Sequence, residues 1–178
     1  MKNTIAITLG AALALLAGGC LLATGQQTFY KRIDVGATTN TTVTPVPIDL
    51  NDEPDYVDHK DSIKTVDGIS VVAIVTNNLP AAAKMQIYIS DDATLTTVDE
   101  VKSDAKLVFV SPTVPASDTL KIGWADGFKY MVDEKPVVDQ ILGDGVFFVY
   151  AVAEEVPFSL VVKAEIGITF TVGAGNCF

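Results

Sequence analysis

Residues 159 to 172 read SLVVKAEIGITFTV, and they alternate. Leu160, Val162, Ala164, Ile166, Ile168, Phe170 and Val172 fall on one side of an extended chain. Ser159, Val161, Lys163, Glu165, Gly167, Thr169 and Thr171 fall on the other. Successive side chains of a strand point to opposite faces, so this stretch predicts a strand with one face on a core and the other in water. One strand cannot bury such a face alone. It needs neighbours beside it and a second layer across from it.

The rest of the chain supplies those neighbours. FYKRIDV begins an alternation that places Phe29, Lys31, Ile33 and Val35 on one face. TTNTTVTPVPIDL suits an extended edge strand, because Pro45 and Pro47 remove ladder donors. GISVVAIVTNN, residues 68 to 78, is nearly continuous apolar and β-branched, which predicts a central strand. KMQIYIS, residues 84 to 90, follows, and the two read as an antiparallel pair joined by a loop. KLVFV and DTLKIGW are short extended segments, the second running to Trp124. Asp126-Gly127 is a turn signal. GVFFVYAVA is apolar on both faces.

Helical signals are few. In NDEPDYVDHKDSIK, Asn51 or Asp52 caps a short helix, with Tyr56 and Ile63 turned to the core. TLTTVDEVKSDA holds a helical turn. PVVDQILG predicts a short helix with proline at its start and Gly143 at its cap. The expected fold is mostly β: an antiparallel two-sheet β-sandwich, Ig-like or jelly-roll-like, with one or two short helices. An outer-membrane barrel is the competing architecture, suggested by the long last strand and terminal Phe178. Residues 68 to 76 and 146 to 153 lack the alternation a barrel needs, and aromatic residues are only 8%.

The amino terminus decides where such a domain works. MKNT is a short basic start, and IAITLGAALALLA is an uncharged apolar core. Small residues and Cys20 follow, which is the layout of a secretory signal. Ala17-Gly18-Gly19-Cys20 resembles the lipobox of bacterial lipoproteins. The family usually carries leucine where Ala17 stands. The resemblance implies cleavage before Cys20 and a diacylglycerol on its sulfur. Leu21 follows, where aspartate would signal inner-membrane retention, so in a Gram-negative cell the resemblance implies the outer membrane. Two alternatives stay open. Residues 5 to 24 form an uncharged run long enough to span a bilayer as an uncleaved anchor. Ala23-Thr24-Gly25 also suits an ordinary signal peptidase, which releases a soluble chain from Gln26. All three readings place the domain outside the cytoplasm. The expected division is a signal over 1–19, a lipidated cysteine and tether over 20–27, and one domain over 28–178. With Cys20 lipidated, Cys177 has no cysteine partner within the chain.

Charge excludes some partners. The chain carries −10, and removing residues 1–19 takes away only Lys2, which leaves −11. Such a balance opposes nucleic acid and electrostatic docking on anionic lipid.

Candidate sites are weak. Asp52, Asp55 and Asp58 stand in an acidic stretch and are hard oxygen ligands, so calcium is the one cation they suggest. Their spacing is not that of the twelve-residue calcium loop, and a solvated acidic loop explains them without a metal. His59, the only histidine, sits among charges and is expected to be exposed. A chain with 22 acids offers carboxylate pairs for glycoside hydrolysis by chance alone. No nucleophile elbow and no phosphate-cradling loop occurs. Trp124 has Phe128 and Tyr130 nearby in sequence, a set suited to stacking on sugar rings or anchoring a partner. The plain alternative is that Trp124 closes one end of the core. The expected function is therefore a membrane-anchored, non-catalytic lipoprotein whose sandwich is structural or binds a protein or glycan. A carbohydrate-binding module and a carboxylate hydrolase are the alternatives.

Overall fold

The computed structural model describes residues 25–39, 42–155 and 159–172. Cys20 and Cys177 lie outside the described residues. Eight strands are present: β1 (Gly25–Thr39), β2 (Val46–Asp49), β3 (Ile63–Asn77), β4 (Met85–Ser90), β5 (Lys106–Val110), β6 (Thr119–Ile122), β7 (Val146–Ala153) and β8 (Ser159–Val172). Short helices are α1 (Pro54–Val57), α2 (Val98–Asp104), α3 (Trp124–Gly127) and α4 (Lys135–Leu142).

The strands form two four-stranded sheets, β1-β8-β3-β6 and β2-β7-β4-β5, and every pairing is antiparallel. The order has a simple origin. β1 pairs with β8, β2 with β7, β3 with β6 and β4 with β5. The chain is thus one long hairpin with its tip between β4 and β5, rolled so that its rungs alternate between two sheets. That is the jelly-roll form of the sandwich. The two open sheets, with edges at β1, β6, β2 and β5, rule in the sandwich over the barrel.

The alternation of β8 is realised residue by residue. Leu160, Val162, Ala164, Ile166, Ile168 and Phe170 are all buried, and β8 lies inside its sheet between β1 and β3. Each large side chain buried there contributes about 1.5–3 kcal/mol. The prolines at β2 sit on an edge, where a missing donor faces no partner. β7 is buried on both faces because its sheet has a roof. Tyr88, Tyr150 and Val152 point away from the core and are nonetheless buried. The segment that carries Leu95, Val98 and Val101 of α2 covers them, and the Tyr150 hydroxyl donates to the Asp92 carbonyl. Thr97 opens α2 with a full capping box to Glu100.

Four expectations need correction. Neither Asn51 nor Asp52 caps α1: Glu53 stands at its N-cap, and Asp49 instead caps the 3-10 turn before it, accepting from the Asn51 amide at 2.9 Å. Residues 68–78 and 84–90 are not a hairpin: β3 lies between β8 and β6, whereas β4 lies between β7 and β5 in the other sheet. The connection crosses from sheet to sheet, and the side chain of Asn77 holds its path. Extended structure does not run to Trp124. β6 stops at Ile122, and residues 124–130 turn helically. His59 is half-buried, its ring edge-on to Phe170 at 6.4 Å. Tyr56 behaves as expected, fully buried with its hydroxyl on the Ile141 carbonyl at 2.9 Å.

One exposed carboxylate ties three strands of the first sheet together. Asp67 accepts from Thr171 Oγ1 at 2.5 Å, Thr65 Oγ1 at 2.8 Å and Gln26 Nε2 at 3.0 Å, beside an irregularity in the β3–β8 register. These bonds, from Thr171 first, then Gln26 and Thr65, hold its pKa below the ordinary carboxylate value. A lowered folded-state pKa stabilises the fold fully above the unfolded value, and the contribution disappears as pH falls through the lowered one. We expect Asp67→Asn to flatten the acid limb of the melting temperature below about pH 4 relative to the parent chain. Identical slopes in thermal melts across that range would show that the clamp contributes nothing.

Candidate functional site

The two sheets differ in what lies on their outer faces. The second has the α2 roof. Among the described residues the first is roofed by residues 124–130, and its register explains the fit. Tyr30, Gly167 and Ser70 form one row across β1, β8 and β3, and Thr28, Thr169 and Gly68 form the next. Glycine at two outward positions leaves two recesses. The Trp124 ring fills the first: a Cβ built on Gly167 would lie 1.9 Å from its Cζ3. Phe128 fills the second, with its ring 3.0 Å from a Cβ on Gly68. An isolated glycine in a strand often marks such close approach.

The turn is fastened to the sheet at two further points. Ser70, fully buried, donates to the Trp124 carbonyl at 2.8 Å. Gly127 sits so near β3 that a Cβ would meet Ser70 Oγ at 2.3 Å and the Val71 carbonyl at 2.4 Å. The roof is therefore short because it is pressed directly on the strand backbone.

Three rings meet on this roof. Trp124 stands edge-to-face with Phe128 at 5.0 Å and with Tyr30 at 5.6 Å. Trp124 is half-buried, but Tyr30 is 53% exposed and Phe128 37%. The expected set of Trp124, Phe128 and Tyr130 is corrected by this geometry. Tyr130 turns away and packs edge-on against buried Phe109 at 6.3 Å. Tyr30, from β1, takes its place. Nor does Trp124 close an end of the core; it lies on the solvent side of a sheet. Beyond the rings the same face opens into a cleft of about 350 Å3, lined by Arg32, Val72, Ile74, Lys163 and Glu165, with Ile74 43% exposed. This face offers aromatic edges, an aliphatic side chain and charges of both signs.

Asp52 ends a 3-10 turn at Leu50–Asp52, Asp55 lies in α1 and Asp58 caps that helix, and all three are exposed. Among the described residues no three His, Cys, Asp or Glu side chains gather as a metal site. Their neighbour Glu53 instead pairs with Lys31 at 2.7 Å, which explains a lysine on the inward side of β1. A second cleft, of about 490 Å3, lies between β4, β5 and α4 and contains Asp91, Asp104, Asp133 and Asp139 with Lys106 and Lys135. Asp91 there accepts from Gln140, Asp133 from the Lys135 amide, and Asp139 from the Lys135 ammonium. Three of its four acids are thus engaged in holding α4.

Fold and site together define an antiparallel jelly-roll sandwich with an aromatic ledge on the outer face of its β1-β8-β3-β6 sheet. No protein-family model matches the chain, and no curated protein matches it. Among solved structures, a chain of desmodium yellow mottle tymovirus aligns at TM-score 0.34 and 8% identity, covering 87% of this chain and 91% of that one. A chain of turnip yellow mosaic virus aligns at TM-score 0.35 and 10% identity, covering 88% and 96%. At such scores the likeness decides nothing about this chain. Among the described residues no helix is long and apolar enough to cross a membrane.

Proposed function

We propose that this protein is an extracytoplasmic lipoprotein, held in a membrane by a diacylglyceryl group on Cys20, whose sandwich binds a protein or glycan partner without catalysis. The aromatic ledge carries the binding part of this reading. The three rings lie on the solvent side of a sheet, outside the core, and two of them keep much of their surface in water. Rings held rigidly in glycine recesses bind at low entropic cost, and aromatic side chains dominate contact energy in many interfaces. The Ala17-Gly18-Gly19-Cys20 resemblance supports the anchor. In a Gram-negative cell, Leu21 after the cysteine favours the outer membrane.

The anchor is tested by intact mass of the membrane-extracted protein. A chain beginning at Cys20 with the added diacylglycerol supports it, and a mass for a chain from Met1 or Gln26 refutes it. The ledge is tested by the emission of Trp124, the sole tryptophan, during titration with soluble oligosaccharides and with cross-linked partners recovered from its own envelope. We expect a saturable change with one ligand, weakened at least about tenfold by Tyr30→Ala, the loss typical of an interface hot spot. Phe128→Ala has the same expected direction. Binding unaltered by both substitutions would remove the ledge from the function.

A further inference from the structure

Resting on the lipoprotein reading above, we propose that on an anionic bilayer the domain stands end-on, with the α1 end near the headgroups and the end bearing residues 78–84 and 113–118 held away. Covalent reach sets the first constraint. Four residues separate Cys20 from Gly25, where β1 begins, so the two Cα atoms lie within about 18 Å whatever path the chain takes. Gly25 pairs with Val172, and Val172 pairs with Ile63, so the near end consists of the start of β1, the end of β8, the start of β3 and the turn before it. The far end is reached along β8, which from Val172 to Leu160 spans about 40 Å. There Asn78 bonds Ser159, Asn77 bonds Asp118, and the Leu79 carbonyl accepts from Ser117. The tether is less than half as long as the body it holds.

Charge sets the second constraint. A body pivoting at Gly25 is free to lie along the bilayer only if its flank tolerates the headgroups. The chain from Cys20 onward carries −11, and anionic headgroups repel it. Contact is therefore limited to the end the tether holds, which carries exposed Asp55, Asp58, Asp61 and Asp67 with exposed Lys60 and Lys64. The upright pose keeps the remaining charge beyond about one Debye length, near 8 Å at physiological salt. It also places the aromatic ledge. Tyr30 lies five positions along β1 from Gly25, or about 17 Å, so the ledge stands within roughly 35 Å of the headgroups. A ligand of the ledge is one present in that layer.

The test uses the full, lipid-anchored protein carrying Cys177→Ser, with a donor dye on either Lys64→Cys or Ala82→Cys, both exposed positions at opposite ends. The vesicles are phosphatidylcholine with phosphatidylglycerol and an acceptor dye on the headgroups. We expect energy transfer several-fold stronger from position 64 than from 82. A flexible Gly-Ser segment of about 20 residues inserted before Gly25, which adds roughly 25 Å, should shrink the difference. Equal transfer from both ends, stronger transfer from 82, or a difference untouched by the insertion overturns the proposal. Intact mass of the same preparation separates the two failures. Absence of the lipid on Cys20 sinks the anchor and this orientation with it, whereas lipidated protein with equal transfer sinks the orientation alone.

Discussion

Gly167→Val is expected to expel Trp124 from the first sheet and to destabilise the domain by about 3 kcal/mol. Local propensity argues the other way. Valine suits a strand better than glycine, by up to about 1 kcal/mol in a host sheet. The recess decides the sign. A Cβ at Gly167 lies 1.9 Å from Trp124 Cζ3 and 2.7 Å from Cη2, well inside contact distance. The ring is unable to slide sideways, because Tyr30 and Phe128 flank it and the Ser70 hydroxyl holds the Trp124 carbonyl. It must lift outward, and the roof lifts with it. Two readouts follow. The denaturation midpoint falls, and the emission of the single tryptophan moves to the red as the indole enters water. Gly123→Ala serves as the contrast. A Cβ there meets nothing within 4 Å, and the only cost is that of alanine for glycine at a helix N-cap, so its stability should change by no more than about 1 kcal/mol. A Gly167→Val chain with parental midpoint and emission would mean that Trp124 is not seated as described, and the ledge would lose its foundation.

The same recess shows what the sequence makes legible and what it hides. A strand is written in its own alternation, so the core face of β8 is readable from Leu160 to Phe170, and so is the edge position of β2 from its prolines. The apolar outward side of β7 announces a covering element, though not that α2 supplies it. Pairing is not local information. β3 and β4 are consecutive and both apolar, and a hairpin satisfies their patterns as well as the observed crossing does. Only the rolled order of all eight strands separates them. The ledge is hidden for the same reason. Tyr130 is near Trp124 in sequence, but a helical turn sends it toward Phe109, while Tyr30 arrives from the first strand. One signal was present. Gly167 interrupts the polar side of an otherwise regular strand, and a missing side chain on a solvent face invites the question of what fills its space. Lys31 is a similar case, since its inward position makes sense only once Glu53 is placed beside it.

The second large effect is expected at Asn77, where the chain leaves β3 to cross between the sheets. Asn77 is 1% exposed. Its amide N–H groups are shared among the carbonyls of Ala81 at 2.8 Å, Pro115 at 3.2 Å and Val114 at 3.3 Å, and its Oδ1 accepts from the Leu79 amide at 3.0 Å. One side chain therefore joins the segment after β3 to the segment after β5. Leucine has a similar branched shape, is larger, and makes none of these bonds. In Asn77→Leu, Val114 keeps the bond from the Ala83 amide, but the other three groups lose their side-chain partner. Leaving a buried polar group unpaired costs about 1–3 kcal/mol, so a loss near 3–4 kcal/mol is expected. In a domain of this size that lowers the melting temperature by about 8–12 °C. Asn77→Asp separates hydrogen bonding from volume. It keeps the acceptor for Leu79 but sets a buried carboxylate against two or three carbonyl oxygens, which raises its pKa. A raised carboxylate pKa makes the penalty largest at neutral pH and relieves it as acid restores a proton that can be donated. The melting temperature of Asn77→Asp relative to the parent should therefore recover between about pH 7 and pH 5, while the deficit of Asn77→Leu should stay constant over that interval. Two parallel deficits would show that the crossing is held by shape alone, and Asn77 would lose its place as the residue that sends β4 to the second sheet.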